Sequence, residues 1–441
     1  MERGKMNIAV IGAGYVGMTT SVAFAAYGHH VVVVEHNEEK VKLLSQGYLP
    51  FYEAGMEDMM KQQLKLGQLS FTTSIRKSLK QAEYVFITVG TPSLPSGEAD
   101  LSFVEQVAQS IGTFIDDYKI IIMKSTVPVG TGKKVQEIIF SQLQKRNVDI
   151  PFDLVSNPEF LREGRALKDA LQPDRIILGC ENDRAKMKMN SLYNDFQSKI
   201  LFTALNDAEM IKYASNTFLA TKISFVNELA RLCENLNVDI TNVAKGMGLD
   251  KRIGPDFLQA GIGFGGSCFP KDIKALLAFS AANHVPFQIL QAVQSVNDSQ
   301  VEWFMTNVAN TLGDLTNKHI AILGLTFKPE TDDIREASSL RVIEYLIQNH
   351  AIVSAYDPKG IDQIKRIFPM INYAQTPIGA IEGADAIILV TEWKELIHLD
   401  WEAIKLKVNK PVIFDGRNAL DRNRLVDLGY TYIGVGVKGN I

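Results

Sequence analysis

One cysteine of this chain lies in a segment suited to nucleophilic chemistry. Cys268 ends the glycine-rich run Gly-Ile-Gly-Phe-Gly-Gly-Ser-Cys, and Lys271 and Asp272 follow it three and four residues later. A neighbouring cation lowers the pKa of a thiol and favours the nucleophilic thiolate, and glycines allow a substrate to come close. A buried structural thiol is the alternative, although such cysteines usually lie in apolar strands or helices. Cys268 is therefore the candidate nucleophile.

Two other groups of polar residues could complete the site of such a nucleophile. One is the segment Asn157-Pro-Glu159-Phe-Leu-Arg-Glu163, and the other is the pair Lys212 and Asn216. Because that pair is spaced by four residues, both side chains leave the same face of a helix. A pair of this kind is more often solvated surface than part of a site, so both interpretations stay open.

A dinucleotide-binding turn is predicted near the N-terminus. The segment Gly12-Ala-Gly14-Tyr-Val-Gly17 follows a strand and opens a helix, and Glu35 ends the next strand. The first glycine permits the tight turn, the second lets backbone N–H groups approach a pyrophosphate, and the third allows helix and sheet to touch. Glu35 would accept hydrogen bonds from ribose hydroxyls and repel a 2′-phosphate, which favours NAD over NADP. One alternative is a glycine-rich turn that binds no dinucleotide and is followed by an acidic residue by chance. FAD would use the same glycine pattern, but a nucleophilic thiol fits hydride transfer to nicotinamide better.

Two further strand ends carry threonines that could face the same cofactor. They are Gly90-Thr91-Pro92 and Ser125-Thr126-Val127-Pro128. Ligands of open α/β sheets bind at the carboxyl ends of the strands, which places Thr91 and Thr126 at the predicted cofactor cleft. Ordinary Thr/Pro turns remain the alternative for either residue.

The elements that position these residues indicate an α/β protein with two Rossmann-like, doubly wound parallel sheets, because strand-like runs alternate with helix-period segments. In the first part the runs are residues 7–11, 30–35, 84–89, 119–124, 152–155, 175–178 and 200–202. In the second part they are residues 319–323, 352–356, 386–390 and 412–414. The N-terminal Ile-Ala-Val-Ile-Gly-Ala-Gly is echoed by Ile-Ala-Ile-Leu-Gly-Leu-Thr from Ile320. The later copy lacks the second and third glycines, so a different ligand is expected there.

One long helix is predicted between the two sheets. It begins at Asp207 with acidic residues at its positive end and runs without proline to about Asn237, a length of about 45 Å. A helix of this length is expected to link two domains and to offer a face for dimerisation.

Composition excludes several classes of partner. The 441 residues carry a formal charge of −4 without a basic block, so neither nucleic acid nor an anionic membrane is an expected partner. The three cysteines cannot all pair and lie far apart, which indicates a reducing compartment and a cytoplasmic protein. The apolar run from Ile8 to Ala26 imitates a signal peptide, but three glycines break it and a βαβ pattern continues through it. No other segment is long and apolar enough to span a bilayer.

Together these motifs resemble the UDP-glucose 6-dehydrogenase family, within the broader UDP-glucose/GDP-mannose dehydrogenases. The likeness runs from Asn7 to Gly434 and includes five motifs in order. They are Gly-Ala-Gly-Tyr-Val-Gly, Lys-Ser-Thr-Val-Pro-Val-Gly-Thr, Asn-Pro-Glu-Phe-Leu-Arg-Glu-Gly, Gly-Phe-Gly-Gly-Ser-Cys-Phe-Pro-Lys-Asp and Phe-Lys-Pro-Glu-Thr-Asp-Asp-Ile-Arg. One departure is Glu35, where many members have aspartate, so the longer side chain could shift the ribose contacts.

The resemblance implies a homodimer of two Rossmann-like domains joined by the long helix, with NAD on the first and the UDP moiety on the second. The implied division is an NAD-binding domain at residues 1–205, a central helical and dimerisation region with the cysteine loop at 206–300, and a UDP-sugar-binding domain at 301–441. No metal is implied.

The resemblance also implies roles for individual residues. Cys268 would be the nucleophile, Lys212 with Asn216 would steady the developing oxyanion, Asp272 with Thr126 would position water or assist proton transfer, and Glu159 would be a candidate base. The implied cofactor contacts are Gly12, Gly14, Tyr15, Val16, Gly17, Glu35, Lys40, Thr91, Thr126, Glu163, Lys271 and Arg335. The implied substrate contacts are Glu159, Phe160, Leu161, Arg162, Lys212, Asn216, Arg252, Phe257, Gly265, Lys328 and Arg417.

The reaction implied by the resemblance is the four-electron oxidation of UDP-glucose at C6 to UDP-glucuronate, with two NADH formed. The aldehyde would be captured by Cys268 as a thiohemiacetal, oxidised to a thioester and released by water. Oxidation of GDP-mannose or of a UDP-N-acetylhexosamine by the same chemistry is an alternative. A non-catalytic nucleotide-sugar binding protein is another, but such a protein should have lost the thiol, the lysine or the carboxylates.

Overall fold

The computed structural model describes residues 5–437 and divides into two compact units. The N-terminal unit runs to Ser215 and includes Lys274–Phe279, and the C-terminal unit contains Asn216–Ile273 and the residues from Ser280 onward. Within the described residues, no helix combines the length and the apolar character needed to cross a membrane.

The N-terminal unit is built on an eight-stranded sheet with the order β3-β2-β1-β4-β5-β6-β7-β8. The strands are β1 (Asn7–Ile11), β2 (His30–Val34), β3 (Leu69–Thr72), β4 (Tyr84–Ile87), β5 (Lys119–Met123), β6 (Phe152–Ser156), β7 (Arg175–Cys180) and β8 (Lys199–Thr203). Strands β4 and β5 are buried along their whole length, as expected for parallel strands covered on both faces. The predicted parallel, doubly wound sheet is confirmed.

Two features of this sheet differ from the sequence prediction. β3 was not predicted, because Leu-Ser-Phe-Thr is short and only half apolar. β7 pairs antiparallel with β6, so β7 and β8 run opposite to the other strands. Strand direction depends on the path of the connecting chain, and the apolar pattern of a strand does not record it.

Helices cover both faces of this sheet. They are α1 (Tyr15–Ala26), α2 (Glu38–Ser45), α3 (Met56–Lys65), α4 (Ile75–Gln81), α5 (Ser102–Phe114), α6 (Thr131–Lys145), α7 (Ala166–Leu171) and α8 (Asp183–Leu192), with a 3₁₀ turn at Asn194–Phe196. Asn37, Ser74 and Asn182 cap α2, α4 and α8 through their side chains, which accept a backbone N–H of the first turn.

The long helix α9 runs from Leu205 to Leu236 and confirms the prediction of 207–237 within two residues. The boundary between the two units falls inside it, between Ser215 and Asn216. Three helices follow: α10 (Ile240–Gly248), α11 (Phe269–Ala282) and α12 (Gln288–Leu312).

The C-terminal unit contains a six-stranded parallel sheet with the order β11-β10-β9-β12-β13-β14. Its strands are β9 (His319–Leu323), β10 (Ile352–Tyr356), β11 (Asn372–Tyr373), β12 (Ala386–Leu389), β13 (Val412–Asp415) and β14 (Thr431–Gly434). The accompanying helices are α13 (Ser338–Gln348), α14 (Ile361–Ile367), α15 (Pro377–Ile381), α16 (Lys394–Ile397), α17 (Trp401–Lys405) and α18 (Arg422–Asp427). The four predicted strands are confirmed, and the two edge strands β11 (Asn-Tyr) and β14 (Thr-Tyr-Ile-Gly) were missed because they carry few apolar residues.

The second sheet repeats the arrangement of the first six strands of the first sheet. At corresponding places after β1 and β9, Gly12 N–H donates to the carbonyl of Val34 and Gly324 N–H donates to the carbonyl of Tyr356, both at 2.9 Å. Both glycines have positive φ, +111° and +90°. The echo seen in the sequence is therefore a structural repeat.

Candidate active site

The carboxyl ends of five parallel strands place most of the predicted cofactor residues along one edge of the N-terminal sheet, whereas Lys271 and Arg335 lie in the C-terminal unit. Gly12 follows β1 and Gly14 precedes α1, which begins at Tyr15 and Val16. A Cβ on Gly17 would collide with the carbonyl oxygen of Gly12, whereas a Cβ on Gly14 would meet no atom within 4 Å. The third glycine is thus needed for packing, and open space remains at the positive end of α1, where a pyrophosphate fits.

Glu35 follows β2 and is 6% exposed. Its carboxylate accepts hydrogen bonds from Lys40 Nζ at 2.7 Å and from the N–H of Asn37 at 3.2 Å. Burial alone would raise the pKa of Glu35, but these bonds and the charge of Lys40 hold that pKa below its ordinary value. The carboxylate is therefore ionised at neutral pH, which suits ribose hydroxyls and disfavours a 2′-phosphate.

Thr91 and Thr126 lie beyond the ends of the adjacent strands β4 and β5. The hydroxyl of Thr91 donates to the carbonyl of Thr126 at 2.8 Å and so joins the two turns. The structure thus places both threonines at the predicted edge, and their cofactor contacts stay a prediction.

A buried charged cluster lies at the end of β6. Lys212 Nζ is 2.7 Å from Glu159 Oε1, and these residues are 3% and 6% exposed. Glu159 Oε2 also accepts the N–H of Leu161 at 2.6 Å. Burial raises the pKa of Glu159, but the charge and hydrogen bond of Lys212 outweigh it and lower that pKa. Lys212 is thus part of a buried ion pair, and the solvated-surface interpretation of this residue is wrong.

The segment after Glu159 is held by further charged contacts. Arg162 donates to both carboxylate oxygens of Asp169, at 2.8 and 2.6 Å. The ring of Phe160 lies 5.3 Å from Lys212 Nζ and 4.1 Å from the guanidinium carbon of Arg175. These contacts fix the backbone that carries the predicted residues 159–163.

The candidate nucleophile lies at the start of a helix in the C-terminal unit. Cys268 immediately precedes α11, and its carbonyl accepts the N–H of Asp272 at 2.9 Å. Its thiol is partly exposed and lies 3.6 Å from the hydroxyl of Ser267, whereas Cys180 and Cys233 are buried. A helix N-terminus favours a thiolate, which adds to the sequence argument for Cys268.

Asp272 connects the thiol segment to α9. Its carboxylate is 1% exposed and accepts hydrogen bonds from Asn216 Nδ2 and from Lys271 Nζ, both at 2.6 Å. The cation of Lys271 is therefore paired with Asp272. The positive end of α11 is a second electrostatic reason for thiolate character, and the sequence analysis did not identify it.

A cavity of about 350 Å³ lies within the C-terminal unit, at the carboxyl ends of β9, β12 and β13. Its walls include five predicted substrate residues or their neighbours: Phe257, Gly265, Phe327, Lys328 and Arg417. Phe257 has a φ of +63°, which is uncommon for a non-glycine residue. A Cβ on Gly265 would collide with the carbonyl of Glu336, so only glycine fits there.

Arg417 forms hydrogen bonds with backbone groups in the wall of this cavity. Its Nε donates to the carbonyl of Val390 at 2.7 Å, and its Nη1 donates to the carbonyl of Gly263 at 2.9 Å. The carboxylate of Glu392 is 3.5 Å away. Arg417 therefore joins the ends of β12 and β13 to the thiol loop.

In the second sheet, the acidic residue that corresponds to Glu35 is hydrogen-bonded to other groups of the protein. Asp357 follows β10, as Glu35 follows β2, but it accepts the N–H groups of Leu325, Lys359 and Gly360 and the indole N–H of Trp393. Its carboxylate has little capacity left for ribose hydroxyls. This agrees with the prediction that the second sheet takes a different ligand.

Comparison with known proteins identifies the family. Residues 6–197 match the UDP-glucose/GDP-mannose dehydrogenase family, NAD binding domain; residues 206–299 match its central domain, and residues 321–422 match its UDP binding domain. The chain belongs to the UDP-glucose/GDP-mannose dehydrogenase family. The predictions of a dehydrogenase and of NAD as its cofactor are confirmed.

Individual relatives cover nearly the whole chain. UDP-glucose 6-dehydrogenase TuaD of Bacillus subtilis is 41% identical over 98% of this chain and 93% of its own length. UDP-glucose 6-dehydrogenase of Pseudomonas aeruginosa is 42% identical over 98% and 97%. The structure of a UDP-glucose dehydrogenase from Pyrobaculum islandicum superposes with a TM-score of 0.92 at 35% identity, covering 99% of both chains.

Two arginines predicted from the family lie elsewhere in the structure. Arg252 is exposed and donates to Asp250, and Arg335 is exposed and donates to Asp333. Neither lines the 350 Å³ cavity. Their roles in substrate and cofactor binding stay predictions.

Lys124 is a member of the charged cluster that the sequence analysis missed. Its Nζ donates to Asn157 Oδ1 at 3.1 Å, and Asn157 also accepts the hydroxyl of Tyr193 at 2.5 Å. Burial is the main cause that lowers the pKa of Lys124 to about 8; the charge of Glu159 acts in the opposite direction, and that of Lys212 lowers the pKa further. The position of Lys124 in the Lys-Ser-Thr motif could have indicated a role in the site. A lysine at the end of a strand is usually exposed, however, so the sequence alone did not predict its burial.

Lys124 should make stability depend on alkaline pH. Between its folded pKa of about 8 and the ordinary lysine pKa of 10.5, the folded protein loses a proton that the unfolded chain keeps. The melting temperature of the wild type, measured relative to Lys124→Met, is therefore expected to rise across this interval. Lys133→Met, at an exposed position of α6, is the control and should show no such trend. A pH-independent difference for Lys124→Met would contradict the lowered pKa.

Proposed function

We propose that this protein oxidises the C6 alcohol of UDP-glucose to the carboxylate, using NAD⁺ and forming two NADH. The observation that carries the proposal is the partly exposed Cys268 at the start of α11, beside the buried carboxylate of Asp272. Relatives named UDP-glucose 6-dehydrogenase match the chain over nearly its full length. The thiol, lysine and carboxylates of the proposed chemistry are all present, which disfavours a non-catalytic binding protein.

The cavity of the C-terminal unit is the proposed site for the UDP moiety. Lys328 on its wall offers a positive charge to the diphosphate, and Phe257 offers an aromatic face to the base. Arg417 supports the wall through its bonds to Val390 and Gly263. This arrangement supports a division into an NAD-binding part at residues 1–205, a central part at 206–300 and a UDP-sugar-binding part at 301–441.

The proposed mechanism assigns one role to each group. Bound NAD⁺ supplies the hydride acceptor for both oxidation steps. The thiolate of Cys268 attacks the aldehyde carbon to form a thiohemiacetal, which is oxidised to a thioester. Water then cleaves the thioester, releasing the acid and the thiol. Asp272, oriented by Asn216 and Lys271, positions that water together with Thr126.

Lys212 is proposed to stabilise the oxyanion that develops on the former aldehyde oxygen. The ion pair with Glu159 holds the Nζ of Lys212 in a fixed position, 2.7 Å from Glu159 Oε1. Because its pKa is lowered, Glu159 is a weak base, so we assign it to holding Lys212 rather than to proton abstraction.

Lys328→Ala is expected to raise the KM for UDP-glucose by roughly 10-fold or more, because a charge-assisted contact to phosphate contributes about 1.5–3 kcal/mol. The KM for NAD⁺ should stay unchanged. Steady-state kinetics with each substrate varied in turn measure both values. Lys365→Ala, an exposed lysine of α14, is the matched control. An equal rise in both KM values would remove Lys328 from the substrate site.

A homodimer is proposed on the exposed face of α9. Phe218, Phe225 and Leu232 recur every seven residues and are 65%, 54% and 52% exposed. Such an apolar stripe is typical of a helix that packs on another helix. Phe225→Glu should shift the mass measured by light scattering from dimer to monomer. Phe140→Glu on α6, where the phenylalanine is also 54% exposed, should leave the mass unchanged. A monomeric wild type would contradict the proposal.

A cytoplasmic location is proposed from the thiols. None of the three cysteines, all within residues 5–437, forms a disulfide, and the proposed chemistry needs a reduced Cys268.

The decisive test of the proposed function is the yield of NADH per sugar consumed. The purified protein is incubated with NAD⁺ and, separately, with UDP-glucose, UDP-N-acetylglucosamine, UDP-N-acetylmannosamine and GDP-mannose. Two NADH with UDP-glucose alone are expected. One NADH per sugar would overturn the thioester route, and turnover of another nucleotide sugar in its place would overturn the substrate.

A further inference from the structure

The loop that precedes the candidate nucleophile is held by amide side chains of neighbouring helices, of which Asn227 and Gln300 are buried and Asn297 is half-buried. Asn297 of α12 accepts the N–H of Phe264 at 2.8 Å and donates to the carbonyl of the same residue at 3.1 Å. Gln300, one turn further along α12, donates to the carbonyl of Gly261 at 2.8 Å. Asn227 of α9 accepts the N–H of Gly261 at 2.8 Å. Two points of the loop are thus bonded through both their donor and their acceptor.

The orientation of the Gln300 amide is determined by Arg231. Gln300 is fully buried, and its Oε1 accepts Arg231 Nε at 2.9 Å and Nη2 at 2.7 Å. A guanidinium only donates, so the amide oxygen must face Arg231 and the amide N–H must face Gly261. Arg231 also donates to the hydroxyl of Ser299 at 2.9 Å, which does not bond the loop.

These bonds replace regular secondary structure. Residues 261–266 form neither helix nor strand. The N–H groups of Ile262 and Gly266 bond the carbonyls of Gly416 and Arg335. Gly261 and Phe264, in contrast, take their partners from the amide side chains. Amide side chains that satisfy such groups confer a defined geometry, because leaving a buried backbone group unpaired is costly. Cys268 follows this loop by two residues, so the position of its thiol depends on where the loop is held.

We propose that Asn297 and Gln300, supported by Asn227 and Arg231, are positioning residues that set the placement and reactivity of the Cys268 thiol. The inference rests on the proposed role of Cys268 as nucleophile. None of the four needs to touch the substrate or the cofactor for this role. Their action is transmitted through the backbone of residues 261–266.

Gln300→Glu separates positioning from folding. The glutamate keeps the size of glutamine and gains an ion pair with the half-buried Arg231, so stability is expected to be retained. Its second oxygen, however, faces the carbonyl of Gly261 and repels it. Asn297→Asp makes the same change at Phe264. Ser299→Ala is the control, since it removes a bond to Arg231 without touching the loop.

The melting temperature, the kcat and the KM for NAD⁺ are measured for each full-length variant. The rate at which iodoacetamide alkylates Cys268 is also measured as a function of pH, by peptide mass spectrometry. Gln300→Glu and Asn297→Asp are expected to lower kcat by about 10- to 100-fold, since a displacement of about 1 Å can cost 10²-fold. The KM for NAD⁺ should match that of the control, and the alkylation profile should shift. The melting temperature of Gln300→Glu should also match the control. Asn297→Asp lacks the compensating pair with Arg231 and is expected to melt at a lower temperature, so its kcat is measured where the variant is fully folded.

Two results would overturn the inference. One is wild-type kcat together with a wild-type alkylation profile in both variants. The other is a loss of kcat that only follows a loss of folded protein, which would make the amides merely structural. The alkylation assay needs no turnover, so it reports on the loop even if Cys268→Ser shows that the thiol is not the nucleophile.

Discussion

Replacing Cys268 with serine is expected to abolish the net four-electron oxidation of UDP-glucose while NAD⁺ and UDP-glucose still bind. A serine hydroxyl at neutral pH is a far weaker nucleophile than a thiolate, and the start of α11 favours the thiolate of Cys268. Loss of a nucleophile lowers kcat on the order of 10³-fold or more. The NADH formed at saturating substrates measures the loss, and titration calorimetry with each ligand measures binding.

The chain supplies matched controls for this experiment. Cys180 and Cys233 are 6% and 4% exposed, in β7 and α9, and burial raises the pKa of both thiols. Cys180→Ala and Cys233→Ala are therefore expected to keep wild-type kcat with at most a modest loss of stability. Undiminished turnover in Cys268→Ser would remove Cys268 from the mechanism, whatever the controls show.

Lys212→Met is expected to produce the second large effect. Removing one donor to a developing oxyanion typically lowers kcat by about 10²–10³-fold. The single substitution also leaves the carboxylate of Glu159 buried without its main cation, which costs about 3–5 kcal/mol of stability. Activity loss in this variant alone would thus mix two causes.

The double variant Lys212→Met/Glu159→Gln separates them. The neutral amide no longer needs a buried cation, so the melting temperature should return toward that of the wild type. The kcat is expected to stay low, because the oxyanion still lacks its cation. A double variant with restored kcat would show that Lys212 serves only to neutralise Glu159, and the proposed oxyanion role would be lost.

Much of the architecture could be predicted because it depends on local patterns. The predicted bounds of β1, β9 and β10 match the structure residue for residue, since a strand covered on both faces is apolar along most of its length. The short or edge strands β3, β11 and β14 were missed because they carry few apolar residues. The antiparallel direction of β7 has no local signal.

Some residues of the candidate site could likewise be predicted from the sequence, and others could not. Cys268 could be identified because a thiol among glycines is unusual for a structural cysteine. Lys124, Asn297 and Gln300 could not be identified, because a lysine, an asparagine or a glutamine is expected to be solvated unless its contacts in the folded protein are known. Lys212 and Asn216 were ambiguous for the same reason, and their burial in the structure removed the ambiguity.

The sequence by itself determined the elements, the glycine turn and the type of nucleophile, because backbone freedom, hydrophobic periodicity and side-chain chemistry are properties of short segments. Only the tertiary structure decided which polar residues are buried and which residues they contact. It placed Lys212 against Glu159, Asn216 and Lys271 against Asp272, and Gln300 between Arg231 and Gly261. The physical reason is that pKa values and hydrogen-bond partners depend on neighbours that are distant in the chain and meet only after folding.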